Sequence, residues 1–129
     1  MAQLGLRMLV VDDSPVNREL IRALLDPLSP DIEEAADGAS AIEAAGRETF
    51  DLVLMDLQMP GIDGLTAARA IRSGAGPNRD TPIVAVSASA RPDDVAACGE
   101  AGMNDHVPKP LSAGDLLSKV ARWARRPVD

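Results

Sequence analysis

Five apolar, strand-like runs alternate with amphipathic, helix-like segments along this chain, and the alternation restricts it to an α/β fold. The runs are Arg7–Val11, Asp31–Ala35, Leu52–Met55, Ile83–Val86 and His106–Pro108. The first, third and fourth are almost wholly apolar, as central strands covered on both faces must be. The second and fifth are weaker and are placed by their spacing. Repeated β-α units require right-handed crossovers and a parallel sheet.

The helices carry start and stop signals. Ser14-Pro15 opens the first with an N-cap and a proline at the first helical position. Val16, Leu20, Leu24 and Leu28 recur at four-residue spacing, supported by Ile21 and Leu25, and predict its buried stripe. The second follows Asp37-Gly38 and carries Ala41, Ile42 and Ala45. The third starts near Gly64, faces Leu65, Ala68 and Ile71 inward, and stops at Ser73-Gly74. The fourth runs from Arg91-Pro92 to Gly102. The fifth runs from about Ser112 and packs Leu116, Leu117, Val120 and Trp123. These elements consume nearly all 129 residues, so one domain over 1–129 is expected.

Three of the runs end in chemistry. Leu9-Val10-Val11 is followed by Asp12-Asp13, the third run by Asp56, and the fourth by Ser87. Adjacent acids at a strand end lose solvation and repel one another. A divalent cation relieves both costs, and hard oxygen ligands suit Mg²⁺. In open α/β sheets ligands bind beyond the carboxyl ends of the strands. With metal the carboxylates stay ionised, and one can attack phosphorus to give an aspartyl phosphate. Ser87 and Lys109 are then placed to receive the transferred oxygens. Singly, Asp12 also reads as a cap or turn residue, Ser87 as a turn hydroxyl and Lys109 as a solvated charge. Their convergence on one strand-end face favours chemistry. Met59-Pro60-Gly61 reads as a turn and Asp63-Gly64 as a helix entry.

Composition excludes other classes. Thirteen basic against twenty acidic residues leave a net charge of −7, and aromatics are 2% of the chain. Neither favours nucleic acid, and Arg122, Arg125 and Arg126 are too few to change that. No run is long enough to span a membrane, and no secretory signal precedes Leu9. The lone Cys98 cannot form an internal disulfide; it reads as a packing residue in a reducing, cytoplasmic setting.

Four motifs together resemble the receiver domains of two-component response regulators, the CheY-like family. They are Val10-Val11-Asp12-Asp13-Ser14, Leu54 through Gly64, Val86-Ser87-Ala88 and Lys109-Pro110-Leu111. The likeness covers nearly the whole chain. It implies a doubly wound, flavodoxin-like (βα)5 fold with strand order 2-1-3-4-5. It implies phosphorylation on Asp56 by a histidine kinase or histidine phosphotransfer protein. It implies Mg²⁺ (or Mn²⁺) on Asp12, Asp13, Asp56 and the backbone carbonyl of Gln58, with Asp12 acting partly through water. Lys109 and Ser87 would bind the phosphoryl group, and a cis peptide is implied at Lys109-Pro110. Gln58, Ala88 and Ser89 would border the pocket. Ser87 would act as a switch with His106, which stands where the family usually has Tyr or Phe.

The resemblance also places the output face on the fourth helix, fifth strand and fifth helix, where a downstream protein would bind. Arg91, Asp94, Glu100, Lys119 and Arg122 are candidates for exposure there. A monomer or a weak, phosphorylation-dependent dimer is expected, with no separate substrate turnover. Val11 through Arg18 and Gly102 through His106 resemble receivers of hybrid histidine kinases, so a segment of such a kinase is an alternative. A small aspartyl-nucleophile phosphatase is disfavoured, because Gln58 stands where its general acid belongs. Flavin or nucleotide binding lacks a phosphate-cradling loop.

Overall fold

The computed structural model describes residues 6–74, 76–88 and 91–124. In chain order the elements are β1 (Arg7–Val11), α1 (Pro15–Leu25), a 3-10 turn (Asp26–Leu28), β2 (Asp31–Ala35), α2 (Gly38–Arg47), β3 (Leu52–Asp56), α3 (Gly64–Ser73), β4 (Ile83–Ser87), α4 (Pro92–Glu100), β5 (Asp105–Pro108) and α5 (Ala113–Trp123). All strands are parallel, in the order β2-β1-β3-β4-β5. The doubly wound five-stranded sheet expected from the sequence is therefore present.

Strand alternation divides the core into two layers. Leu9, Val11, Val53, Met55, Ile83 and Ala85 pack on the side that receives Ala41 of α2, Ala68 and Ile71 of α3, and Cys98 of α4. Met8, Val10, Leu52, Leu54, Val84 and Val107 face the opposite side, against Ile21 and Leu25 of α1 and Leu116 and Val120 of α5. Cys98 is buried, and that burial, with Asp94 nearby, raises its thiol pKa, so it packs rather than reacts.

Four helices begin on side-chain caps. Ser14, Asp37, Asp63 and Ser112 accept backbone N–H bonds from Asn17, Ser40, Thr66 and Asp115. The stripe expected on α1 needs correction. Ile21 and Leu25 are fully buried, while Val16 is 72% and Leu20 43% exposed. Leu24 and Leu28 pack partly buried against the same cluster, so only the first half of the expected stripe, Val16 and Leu20, turns to solvent. Pro27, which cannot donate an amide hydrogen, falls where the helix has given way to the 3-10 turn.

The weak outer strands are held by charge. On edge strand β2, Glu33 pairs with Arg47 at 2.9 Å and Glu34 with Arg18 at 2.7 Å, while Asp31 meets Arg7 at 2.9 Å. On β5, Asp105 accepts from Lys119 Nζ at 2.9 Å and Trp123 Nε1 at 2.8 Å. Lys119, a candidate for exposure on the output face, is half-buried and paired with Asp105.

Candidate functional site

The sheet reverses its winding between β1 and β3, because β2 lies on one side of β1 and β3 on the other. A crevice opens there at the carboxyl ends of the strands. Asp12 follows β1 directly, and its N–H donates to Ala35 O at 3.1 Å. Asp56 is the last residue of β3. Carboxylate oxygens of Asp12, Asp13 and Asp56 all lie within 4.8 Å of one another.

The three acids differ in environment. Asp12 is buried; its Oδ1 accepts from the Ser14 N–H at 2.9 Å, and its Oδ2 is buried with no hydrogen-bond partner. Asp13 is exposed at the mouth. Asp56 is buried, and its Oδ1 accepts from the Gln58 N–H and from Lys109 Nζ, each at 3.3 Å. Burial pushes the Asp56 carboxyl above the usual carboxylate range, and the charge of Asp12 pushes in the same direction. Lys109 and the Gln58 N–H oppose them without reversing the shift.

Lys109 reaches the crevice from the end of β5. Its N–H donates to Ser87 O at 2.8 Å, and the Lys109–Pro110 peptide is cis. Nζ then stands 3.3 Å from Asp56 and 3.8 Å from Asp12 Oδ2. Ser87, the last residue of β4, is buried. With Leu57, Gln58, Asp63 and Asp94 it lines a cavity of about 210 Å³. Ala88 is exposed at the rim. Ser89 lies outside the described residues.

The donor set fits a hard divalent cation. It offers only oxygen ligands, one of them a buried carboxylate oxygen that accepts no hydrogen bond, and an exposed carboxylate at the mouth. Asp12, Asp13 and Asp56 can each supply one ligand atom.

His106 sits apart from the acids. It pairs in register with Ala85, and its Nε2 is buried without a hydrogen bond. It lines a cavity of about 220 Å³ with Val95, Cys98, Gly99 and Met103, against α4. On the expected output face Arg91, Glu100 and Arg122 are exposed, whereas Asp94 is half-buried beside the Ser87 cavity.

Gly64 is a positioning residue that sequence reasoning treated only as a helix entry. Its N–H donates to Leu57 O at 3.1 Å. A Cβ there would stand 2.3 Å from Asp56 O and 2.9 Å from Leu57 Cα. Only glycine lets α3 begin this close to the Asp56 backbone. The Asp-Gly pair was a visible turn signal, but its contact with Asp56 depends on the fold.

A doubly wound sheet with an acidic crevice, and a lysine reaching into it from the last strand, defines a class of signalling domain. The chain belongs to the response regulator receiver domain family, whose pattern it matches over residues 8–121. It is 39% identical over 119 residues to the sensor protein GacS of Pseudomonas syringae pv. syringae, a match covering 91% of this chain and 13% of that protein. The chain thus spans about an eighth of that relative's length. It superposes with a TM-score of 0.84 on the receiver domain of the sensor histidine kinase PA1611 from Pseudomonas aeruginosa PAO1. That structure is 39% identical, with 92% of this chain and 97% of the other covered, and has magnesium coordinated in its active site cleft. A co-crystal structure of the Saccharomyces cerevisiae phosphotransfer protein Ypd1 with the Ssk1 receiver domain matches with a TM-score of 0.84 at 25% identity. It covers 96% of this chain and 92% of that one. Among the described residues no helix is long and apolar enough to cross a membrane.

Proposed function

We propose that this chain is a Mg²⁺-dependent phosphoacceptor whose acceptor is Asp56. The observation that carries the reading is the juxtaposition of Asp56 with two further acids and the Lys109 ammonium. An Asp56 carboxylate oxygen attacks phosphorus of a donor phosphohistidine. The O–P bond forms as the donor P–N bond breaks, and the electron pair returns to the imidazole. Asp12, Asp13, Asp56 and the Gln58 carbonyl would hold the cation, Mg²⁺ or Mn²⁺, which when bound would keep the acids ionised and neutralise charge on the phosphoryl oxygens. Lys109 and the Ser87 hydroxyl receive those oxygens.

The donor is a histidine kinase or a histidine phosphotransfer protein, by analogy with the Ypd1–Ssk1 pair. Val16 and Leu20, exposed on α1 just beyond Asp13, offer an apolar rim to such a donor. Ser87 and His106 pass the change to the α4-β5-α5 face, where a downstream protein binds. Gln58 and Ala88 border the pocket and tune the water-driven loss of phosphate, a role the sequence also suggests for Ser89. Residues 1–129 form one receiver domain acting in the cytoplasm, as a monomer or a weak phosphorylation-dependent dimer, alone or as a segment of a hybrid histidine kinase.

Incubation with acetyl phosphate and Mg²⁺ tests the central step, read by intact-protein mass. Wild type should gain one phosphoryl group, and Asp56→Asn should gain none. No gain in wild type, or an equal gain in Asp56→Asn, overturns the reading.

A further inference from the structure

The Asp12 carbonyl lies just past the last β1 residue. Arg18 Nη1 donates to that oxygen at 2.7 Å from the end of the first turn of α1. Arg18 Nε donates at the same distance to Glu34 Oε1 on edge strand β2. The Arg18 side chain is 17% exposed. Glu34 is clamped from its other side by Arg22, which also donates to Ile32 O at 3.3 Å. A continuous line of charge-assisted bonds thus runs from the sheet edge to the Asp12–Asp13 turn.

We propose that Arg18, oriented by Glu34, is a positioning residue for the divalent cation. It fixes the Asp12 backbone so that Asp12 Oδ2, which accepts no hydrogen bond, and the Asp13 carboxylate meet Asp56 in one site. This rests on the metal-dependent reading given above and adds residues outside the acidic cluster to it.

The alternatives have opposite signs. A guanidinium near a cation site repels the cation, so charge alone makes removal of Arg18 strengthen metal binding. A purely structural bond makes removal lower the stability of metal-free protein without altering metal uptake. Positioning makes removal weaken uptake, because Asp12 and Asp13 lose their shared orientation. Partners of this outer kind typically change metal affinity by about 10–100-fold. Lysine keeps the charge but lacks the planar fork that reaches the carbonyl and Glu34 together.

The test is calorimetric titration of the full chain with MgCl2, without phosphodonor, beside thermal unfolding of the metal-free protein. Arg18→Met should weaken Mg²⁺ binding by roughly tenfold or more. Arg18→Lys and Glu34→Gln should each weaken it less. The double variant Arg18→Met/Glu34→Gln should be no worse than Arg18→Met, because both break one line. Equal or tighter binding in Arg18→Met overturns the positioning role. Should that variant not fold, unchanged binding in both Arg18→Lys and Glu34→Gln overturns it instead. Wild type that takes up no Mg²⁺ overturns the reading of the site beneath, and this proposal with it. Acceptance of phosphate with Mg²⁺ uptake indifferent to Arg18 and Glu34 removes this proposal alone.

Discussion

Lys109 Nζ stands 3.3 Å from Asp56 Oδ1, bridging a side chain from the end of β5 to the end of β3 across the intervening strand. This ammonium partly offsets the repulsion between Asp56 and Asp12. It is also placed to meet charge arriving on Asp56. Lys109→Met should therefore lower the rate of phosphoryl uptake from acetyl phosphate by about 10²–10³-fold, the usual effect of removing one electrostatic stabiliser of a transition state. Mg²⁺ binding should be retained or strengthened, since a competing cation is gone. Quenched-time mass spectrometry and calorimetry separate the two effects. An unchanged uptake rate means Lys109 has no part in the transfer.

The metal-free protein should be strained by its own acceptor. Burial and the charge of Asp12 raise the Asp56 carboxyl, so the native state keeps this proton where the unfolded chain has lost it. The stability contribution of Asp56 therefore falls as pH rises from about 4, the ordinary aspartate value, through the raised one, and stays low above it. Asp56→Asn removes the penalty. At pH 7 without metal its melting midpoint should lie above that of wild type. Saturating Mg²⁺ should narrow the gap by stabilising wild type. Differential scanning calorimetry with and without EDTA decides it.

Much of this site was legible in the sequence because strand ends are local. Asp12, Asp56 and Ser87 each close or directly follow an apolar run, and the parallel alternation puts those ends on one edge. Two features were not local. The α1 stripe was ambiguous because Val16-Leu20 and Ile21-Leu25 have the same spacing, and only docking on the sheet chooses between them. Arg18 and Glu34 are sixteen residues apart and meet only because β2 pairs with β1 in the register Val10 to Glu34. Strands β2 and β5 gave weak signals for a related reason: few of their side chains enter the core, Ala35 and Val107 among them, and ion pairs on β2 and a half-buried hydrogen-bond cluster around Asp105 add the rest of the anchoring.

Asp13 separates metal binding from folding. It is exposed and makes no core contact, unlike Asp12. Asp13→Ala should abolish Mg²⁺-dependent phosphorylation while changing metal-free stability by no more than about 0.5 kcal/mol. Urea denaturation and the acetyl phosphate assay on one preparation check both. Loss of the fold would make Asp13 structural.

Asp105 anchors α5 to β5. Burial works against its charge, but donation from Trp123 Nε1, Lys119 and the His106 N–H outweighs it and holds the carboxyl below its usual range. The resulting stability is complete above the ordinary aspartate pKa and is lost as pH falls through the lowered one. Asp105→Asn should cost about 1–3 kcal/mol at pH 7, because three donors lose a charged acceptor. The deficit should shrink in acid. Trp123, the only tryptophan, reports the transition by fluorescence.

Gly64 sets how closely α3 approaches the acceptor. A methyl group there would meet the Asp56 carbonyl at 2.3 Å, and backbone atoms cannot yield as a flexible side-chain tip can. Gly64→Ala must displace either the start of α3 or the Asp56–Leu57 peptide. The cost should be about 1–3 kcal/mol, the usual penalty for overpacking. Phosphoryl uptake should fall in the folded fraction as well, because Asp56 moves relative to Asp12 and Lys109. Gly46, on α2, is the control: a Cβ there meets nothing within 4 Å, so Gly46→Ala should leave uptake unchanged and stability equal or higher. Equal behaviour of the two variants would show that the contact between Gly64 and Asp56 does not hold the acceptor in place.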